Sequence, residues 1–237
     1  MVSRPQQSTV QNRLLKALPA DDFARLQPHL KLVTTELRQT LITPDKPIQT
    51  LFFPETGFAS IVSAGSGKVE VGLIGREGLV GGAPVLMGVD RTPLHHFVQN
   101  AGEMLTINAA DLDQAIDASP SLRKLLLHYA QTLMLQTAQT AFANAAYNID
   151  VRLARWLLMC HDRLDGDDLA LTHEFLSTML GAQRSSTTLA VQALEGHGLI
   201  RARRGRITIL NRDALEAVVD EGYGLPEREY ARLIESS

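Results

Sequence analysis

The sequence predicts an α+β protein: an antiparallel β-roll, then one long helix, then a compact C-terminal unit of two helices and a hairpin. Three observations carry that expectation. Residues 32–105 alternate short β-rich runs with Gly, Pro, Asp and Ser, residues 121–147 hold no glycine or proline, and residues 171–210 place two helical patterns and two β-rich runs around a glycine turn. Of the 237 residues, 45% are hydrophobic and 21% charged, a globular balance that excludes a disordered chain. No run approaches the roughly 18 apolar residues of a membrane span. The N-terminal Met1-Val-Ser-Arg-Pro-Gln-Gln lacks the apolar stretch of a secretory signal. The single cysteine, Cys160, excludes an internal disulfide and fits a reducing cytoplasm.

Residues 10–30 read as short helical pieces. Leu14, Leu15 and Leu18 recur at helical spacing, and Pro19-Ala-Asp-Asp breaks and restarts the helix. Strands follow at Leu32–Thr35, Leu51–Phe53, Phe58–Val62, Val69–Ile74, His96–Val98 and Met104–Ile107. Turn signals lie at Thr43-Pro-Asp-Lys-Pro, Pro54-Glu-Thr-Gly, Ala64-Gly-Ser-Gly-Lys, Gly75-Arg-Glu-Gly and Gly81-Gly-Ala-Pro. Short strands with regular punctuation imply a roll or barrel. No helix of useful length interrupts them, so a doubly wound sheet is excluded.

Asn108 can cap a helix to Ala118, and Pro120 suits the first turn of the next. Running to Tyr147, that helix would be ~40 Å long at 1.5 Å per residue. Leu122, Leu126, Tyr129, Leu133, Thr137, Ala141 and Asn144 form one row; Leu127, Met134, Ala138 and Ala145 lie beside it. A helix apolar on more than one stripe buries against something beyond its own domain. A parallel pair in a homodimer is the economical solution, with a seam at Leu126, Leu133, Thr137 and Ala141. The alternative is a long core helix of a single domain. The expected organisation is residues 1–119 as the roll with its N-terminal helices, 120–147 as the dimerisation helix and 148–237 as the C-terminal domain, each of the two domains having a core of its own.

Asn148 can cap a helix from Asp150 to Leu164. Thr172 caps the next, whose buried side is Phe175, Leu176, Met179 and Leu180, and Gly181 stops it. A second helix runs from Arg184 to Gly196. Leu199-Ile200 and Ile207–Leu210 read as strands around the tip Arg203-Arg-Gly-Arg206. Helix, glycine turn, helix and hairpin make a winged helix-turn-helix. The second helix is narrow enough for a DNA major groove, and its first residues (Gln183, Arg184, Ser185, Ser186 and Thr188) would face base edges, with Thr172 beside them. Arg203, Arg204 and Arg206 would lie on phosphates. Charge supports this. Although the net charge is −3, residues 184–212 hold six arginines and one acid, Glu195. A basic island in a mildly acidic chain marks a polyanion site; the bland reading is a solvated charged face.

Arg152-Leu-Ala-Arg-Trp-Leu-Leu158, Leu171-Thr-His-Glu-Phe-Leu176, Leu180-Gly-Ala-Gln-Arg-Ser-Ser-Thr-Thr188 and Ala193-Leu-Glu-Gly-His-Gly-Leu-Ile200 resemble the Crp/Fnr family of bacterial transcription regulators. The order of parts matches over about residues 25–212. The resemblance implies a double-stranded β-helix like that of cyclic-nucleotide-binding domains. It also implies a homodimer on a two-fold-related double-stranded DNA site, a small effector at the roll and, often, contact with RNA polymerase. Members that bind cyclic nucleotides carry a Gly-Glu pair, then Arg-Ser or Arg-Thr. Here Gly81-Gly82 lacks the glutamate, Arg91-Thr92 matches the phosphate pair, and Thr137 falls where the dimer helix offers a hydroxyl. Without the ribose ligand, cyclic AMP is disfavoured, and no cofactor is assigned. Arg184 matches the family's guanine-reading arginine. Leu189 replaces a second arginine, so the preferred site should differ.

Other chemistry is sparse. His95-His96 on a strand would point to opposite faces and not share a metal; a surface or turn role is expected. Cys160 reads as a small buried hydrophobe. No phosphate loop, dinucleotide turn, HExxH or nucleophile elbow occurs, so no enzyme is expected. The competing function is an effector-binding or scaffolding protein whose helix-turn-helix contacts protein.

Overall fold

Strand alternation decides the architecture, and one strand shows how. In β4 (Phe58–Val62) every residue is buried. Ala59 and Ile61 enter one core, and Phe58 and Val62 enter a second on the opposite face. A sheet covered on both faces reads as a continuous apolar run. The computed structural model describes residues 4–63 and 69–236. Met1-Val-Ser and the turn expected at Ala64-Gly-Ser-Gly-Lys lie outside them.

The roll has two antiparallel sheets. One is ordered β1 (Lys31–Thr34), β7 (Glu103–Asn108), β3 (Thr50–Pro54). The other is ordered β2 (Thr40–Ile42), β6 (His95–Asn100), β4, β5 (Glu70–Ile74). Leu51 and Phe53 of β3 and Leu105 and Ile107 of β7 fill the first core, against α1 (Arg13–Ala17) and α2 (Ala20–Leu26). The expected strands are present. Two elements were not expected: β2, and a five-residue helix α3 (Gly82–Leu86) where only a turn was read. Gly57 joins β3 to β4 at φ 68°, and a Cβ there would stand 2.4 Å from the Asn100 carbonyl oxygen. Only glycine fits.

After α4 (Ala109–Ala118) comes α5 (Pro120–Ala146). Pro120 opens α5, and the Ser119 hydroxyl accepts the Leu122 N–H at 3.2 Å. Leu122, Leu125, Leu126 and Tyr129 of α5 are buried in the roll's core. The expected seam is therefore corrected at Leu126, which is 1% exposed and packed inside its own roll. Leu133 is half-buried against the same core, while Thr137 and Ala141 are exposed. The large exposed apolar side chains of α5 sit one position on from Leu126, Leu133 and Ala141, at Leu127, at Met134, which is 64% exposed, and at Phe142.

The C-terminal unit comprises α6 (Ile149–His161), α7 (His173–Met179), α8 (Arg184–Gly196) and the sheet β8 (Asp168–Leu169), β10 (Arg206–Ile209), β9 (Ile200–Arg203), paired in that order. Two hydrophobic clusters form, and the C-terminal one extends into the roll. Leu153, Leu157, Leu158 and Cys160 of α6 share one cluster with Phe58, Val62, Leu73 and Phe97 of the roll. The junction is also polar. Trp156 Nε1–H donates to Glu70 Oε1 at 2.6 Å, and Arg163 pairs with Glu77 at 2.7 Å. Gly181, at φ 57°, would place a Cβ 2.8 Å from Val69. The chain then returns through α9 (Arg212–Val219) and α10 (Leu225–Tyr230), and Tyr230 and Ile234 enter the roll's core. This strap ties the C-terminal unit to the roll and α5. No helix among the described residues is long and apolar enough to cross a membrane.

Candidate nucleic-acid interface

Helix α7 starts as its sequence requires: Thr172 Oγ1 accepts the Phe175 N–H at 3.2 Å. Leu176, Met179 and Leu180 are buried, with Phe175 half-buried. Helix α8 packs Thr187, Ala190, Val191 and Leu194 inward. Its other face turns outward at i, i+1, i+4, i+5 and i+8: Arg184, Ser185, Thr188, Leu189 and Gln192. Gln183 and Arg184 are exposed at the helix start and Ser186 lies half-buried at the flank. Gln183 makes no side-chain cap to α8, so this end presents backbone N–H groups suited to a phosphate. Thr188 is held, its hydroxyl 3.3 Å from Nδ1 of His173. Gln192 escaped the sequence reading, although its position eight residues after Arg184 signals the same face. Leu189, which the resemblance sets in place of a second arginine, is 66% exposed.

The wing is a four-residue ladder, Arg206 opposite Arg203, with Gly205 at φ 74° in the tip. The basic island divides in two. Arg184, Arg201, Arg203 and Arg204 are exposed and form no ion pair among the described residues. Arg206 pairs with Asp168 at 3.1 Å. Arg212 is occupied by Asp162 at 2.7 Å and Glu216 at 2.9 Å, which neutralises its share of the island. The interface is smaller than the arginine count suggested, and its free charge sits at the helix start and the hairpin tip.

The five effector candidates do not assemble into one polar site. A Cβ at Gly82 would meet Leu79 Cδ2 at 2.6 Å, and one at Gly81 would meet Ile42 at 2.9 Å, so apolar side chains fill the space where a glutamate would stand. The Arg91 guanidinium makes two bonds of 2.9 Å to its exposed neighbour Asp90. Thr92 Oγ1 is spent on the Leu94 N–H at 3.2 Å, and Thr137 Oγ1 donates to the Leu133 carbonyl at 3.0 Å.

Of the two histidines, His95 lies 3.1 Å from Thr40 Oγ1. The surface role expected for His96 is corrected: it is buried on β6, with Nδ1 unpartnered among the described residues, and burial lowers its pKa to about 4. Cys160 is fully buried beside Gln99, and burial raises its thiol pKa. No group of three or more metal-binding side chains occurs among the described residues.

A β-roll joined through a long helix to a winged helix-turn-helix defines a class of DNA-binding proteins, and comparison narrows it. Residues 151–218 match a family model described as a Crp-like helix-turn-helix domain. The chain is 26% identical over 220 residues to the global nitrogen regulator of Synechocystis, covering 88% of this chain and 97% of that protein. Its fold is similar to that of FixK2 from Bradyrhizobium japonicum (TM-score 0.68, 14% identity, 80% and 96% of the two chains). It is also similar to a crp/fnr-family regulator from Eubacterium rectale (TM-score 0.68, 16% identity, 87% and 97%). The C-terminal unit is thus similar to a Crp-like helix-turn-helix domain, and the fold of the chain is similar to that of Crp/Fnr-type regulators.

Proposed function

We propose that the chain acts as a homodimer that reads a two-fold-related DNA site, inserting the start of α8 into the major groove and laying the hairpin tip on phosphates. The outward face of α8 carries this reading: Gln183, Arg184 and Ser185 are exposed there beside half-buried Thr188, and Arg184 forms no ion pair among the described residues. Arg184 is placed to bond both acceptors of a guanine. Arg203 and Arg204 supply contacts indifferent to sequence.

Pairing runs along the exposed face of α5. Leu127, Gln131, Met134, Ala138, Ala141 and Ala145 follow one another at steps of four and three, the heptad rhythm of a parallel coiled coil. Small residues at its C-terminal end allow close approach just before α6, which sets the separation of the two recognition helices. Thr137 flanks this seam and Leu133 closes the roll beneath it.

Duplex binding measured against salt tests the reading. Affinity should fall linearly on logarithmic axes. An affinity unmoved by salt would favour a protein-contacting helix-turn-helix.

A further inference from the structure

Where α5, the roll and the C-terminal strap meet, they do not close. They leave a cavity of about 620 Å³, partly open to solvent, outside the roll interior. That volume lies in the range of small-molecule sites. Its charges are unequally matched. Glu77 is satisfied by Arg163, whereas Asp162 and Glu216 share the one guanidinium of Arg212, at 2.7 and 2.9 Å. Glu227 has no cation within ion-pair distance among the described residues, and its Oε2 is buried without a hydrogen-bond partner there. At the mouth, Asp220 and Arg228 are both exposed, and Arg13 is taken by Glu235.

A second observation is independent of the acids. Tyr230, another lining residue, is 4% exposed, and its hydroxyl has no hydrogen-bond partner among the described residues. A buried polar atom left without a partner is unfavourable. Glu227 and Tyr230 stand three residues apart on α10 and therefore on one helix face. Tyr129 and Tyr223 add aromatic surface to the lining. A surplus of carboxyl groups, an unsatisfied acceptor and aromatic walls suit a hydrogen-bond-donating cation.

We infer that this cavity is a binding site for a small organic cation, an amine or guanidine, whose charged nitrogen lies against Glu227 with Tyr230 and Asp162 beside it. Burial holds the Glu227 carboxyl above its ordinary pKa, against the opposing charges of Arg163 and Arg155, and a bound cation would lower it further. The occupant would touch the roll through Glu77, α5 through Thr132 and the strap through Glu227, so its binding would change how firmly the C-terminal unit is tied down. The site does not depend on the DNA reading, and its test uses no DNA.

The full chain is titrated calorimetrically with diaminobutane, with butanediol as neutral isostere and succinate as anion. One diaminobutane should bind per chain with a Kd of about 1 mM or tighter, and the two controls should give no saturable heat. Glu227→Gln should weaken binding at least tenfold. Asp220→Asn, at the exposed mouth where folding is not at stake, should weaken it two- to threefold. Absence of saturable binding to wild type, equal binding of butanediol or succinate, or wild-type affinity in both variants would overturn the assignment.

Discussion

Glu70 links the pH of the solution to the junction between roll and C-terminal unit. Its carboxyl is buried between β5 and α6. Loss of hydration raises its pKa from 4.5 to about 7, because the hydrogen bonds from Ser60 and Trp156 and the charges of Arg163 and Arg155 offset only part of the burial. The proton is therefore held in the folded chain at pH values where the unfolded chain has lost it. Stability is full below the unfolded value, falls as pH rises through the interval, and levels off above the folded value. From about pH 5 to about pH 8 the loss amounts to about 2 to 3 kcal/mol. Glu70→Gln keeps an oxygen for the Trp156 N–H and removes the titration. Urea unfolding of both proteins across this range should show wild type losing stability relative to the variant by that amount, most of it before neutrality. Parallel curves would refute the placement of an ionisable, desolvated carboxyl at the junction.

Four further outcomes are expected. Arg184→Ala should cost ~1–3 kcal/mol at one base position and relax specificity there, as read by competition with single-base operator variants; uniform weakening would make it a phosphate contact. Replacing Arg203 and Arg204 together should flatten the salt slope by about two units, whereas Arg206→Ala, already opposed by Asp168, should change it less. Met134→Glu should give a folded monomer by sedimentation, since like charges meet across the seam. Leu126→Glu should instead unfold the roll, seen as lost circular dichroism, because a charge would enter an apolar core.

Much of this architecture is legible in the chain because its signals are local. Turn residues punctuate β3, β4 and β7, Thr172 and Gly181 bracket α7, and Pro120 opens α5. What escaped depends on tertiary contact. The run Thr40-Leu-Ile42 is too short to announce a strand, and it is strand pairing with β6 that makes it one. Leu126 and Leu127 are adjacent leucines on one helix, and periodicity cannot say which of them meets the roll. The apolar residues of α6 imply burial without naming Phe58 and Val62 as the partners. Residues 213–237 hold seven acids and two arginines, a charge pattern that gives no sign that Tyr230 and Ile234 complete the roll's core. At the candidate interface the exposed arginines were legible, while the withdrawal of Arg212 into a pair with Asp162 required the fold.

On the proposed function, two copies of α8, set apart by a paired α5, read one two-fold-related DNA site. Selection of duplexes from a random pool by the full-length chain, followed by sequencing, tests this most directly. The account predicts enrichment of an inverted repeat with a guanine in each half and half-sites one helical turn apart, about 34–36 Å, or a multiple of it. A single asymmetric site, or no enrichment at a salt concentration where the chain is folded and dimeric, would contradict it.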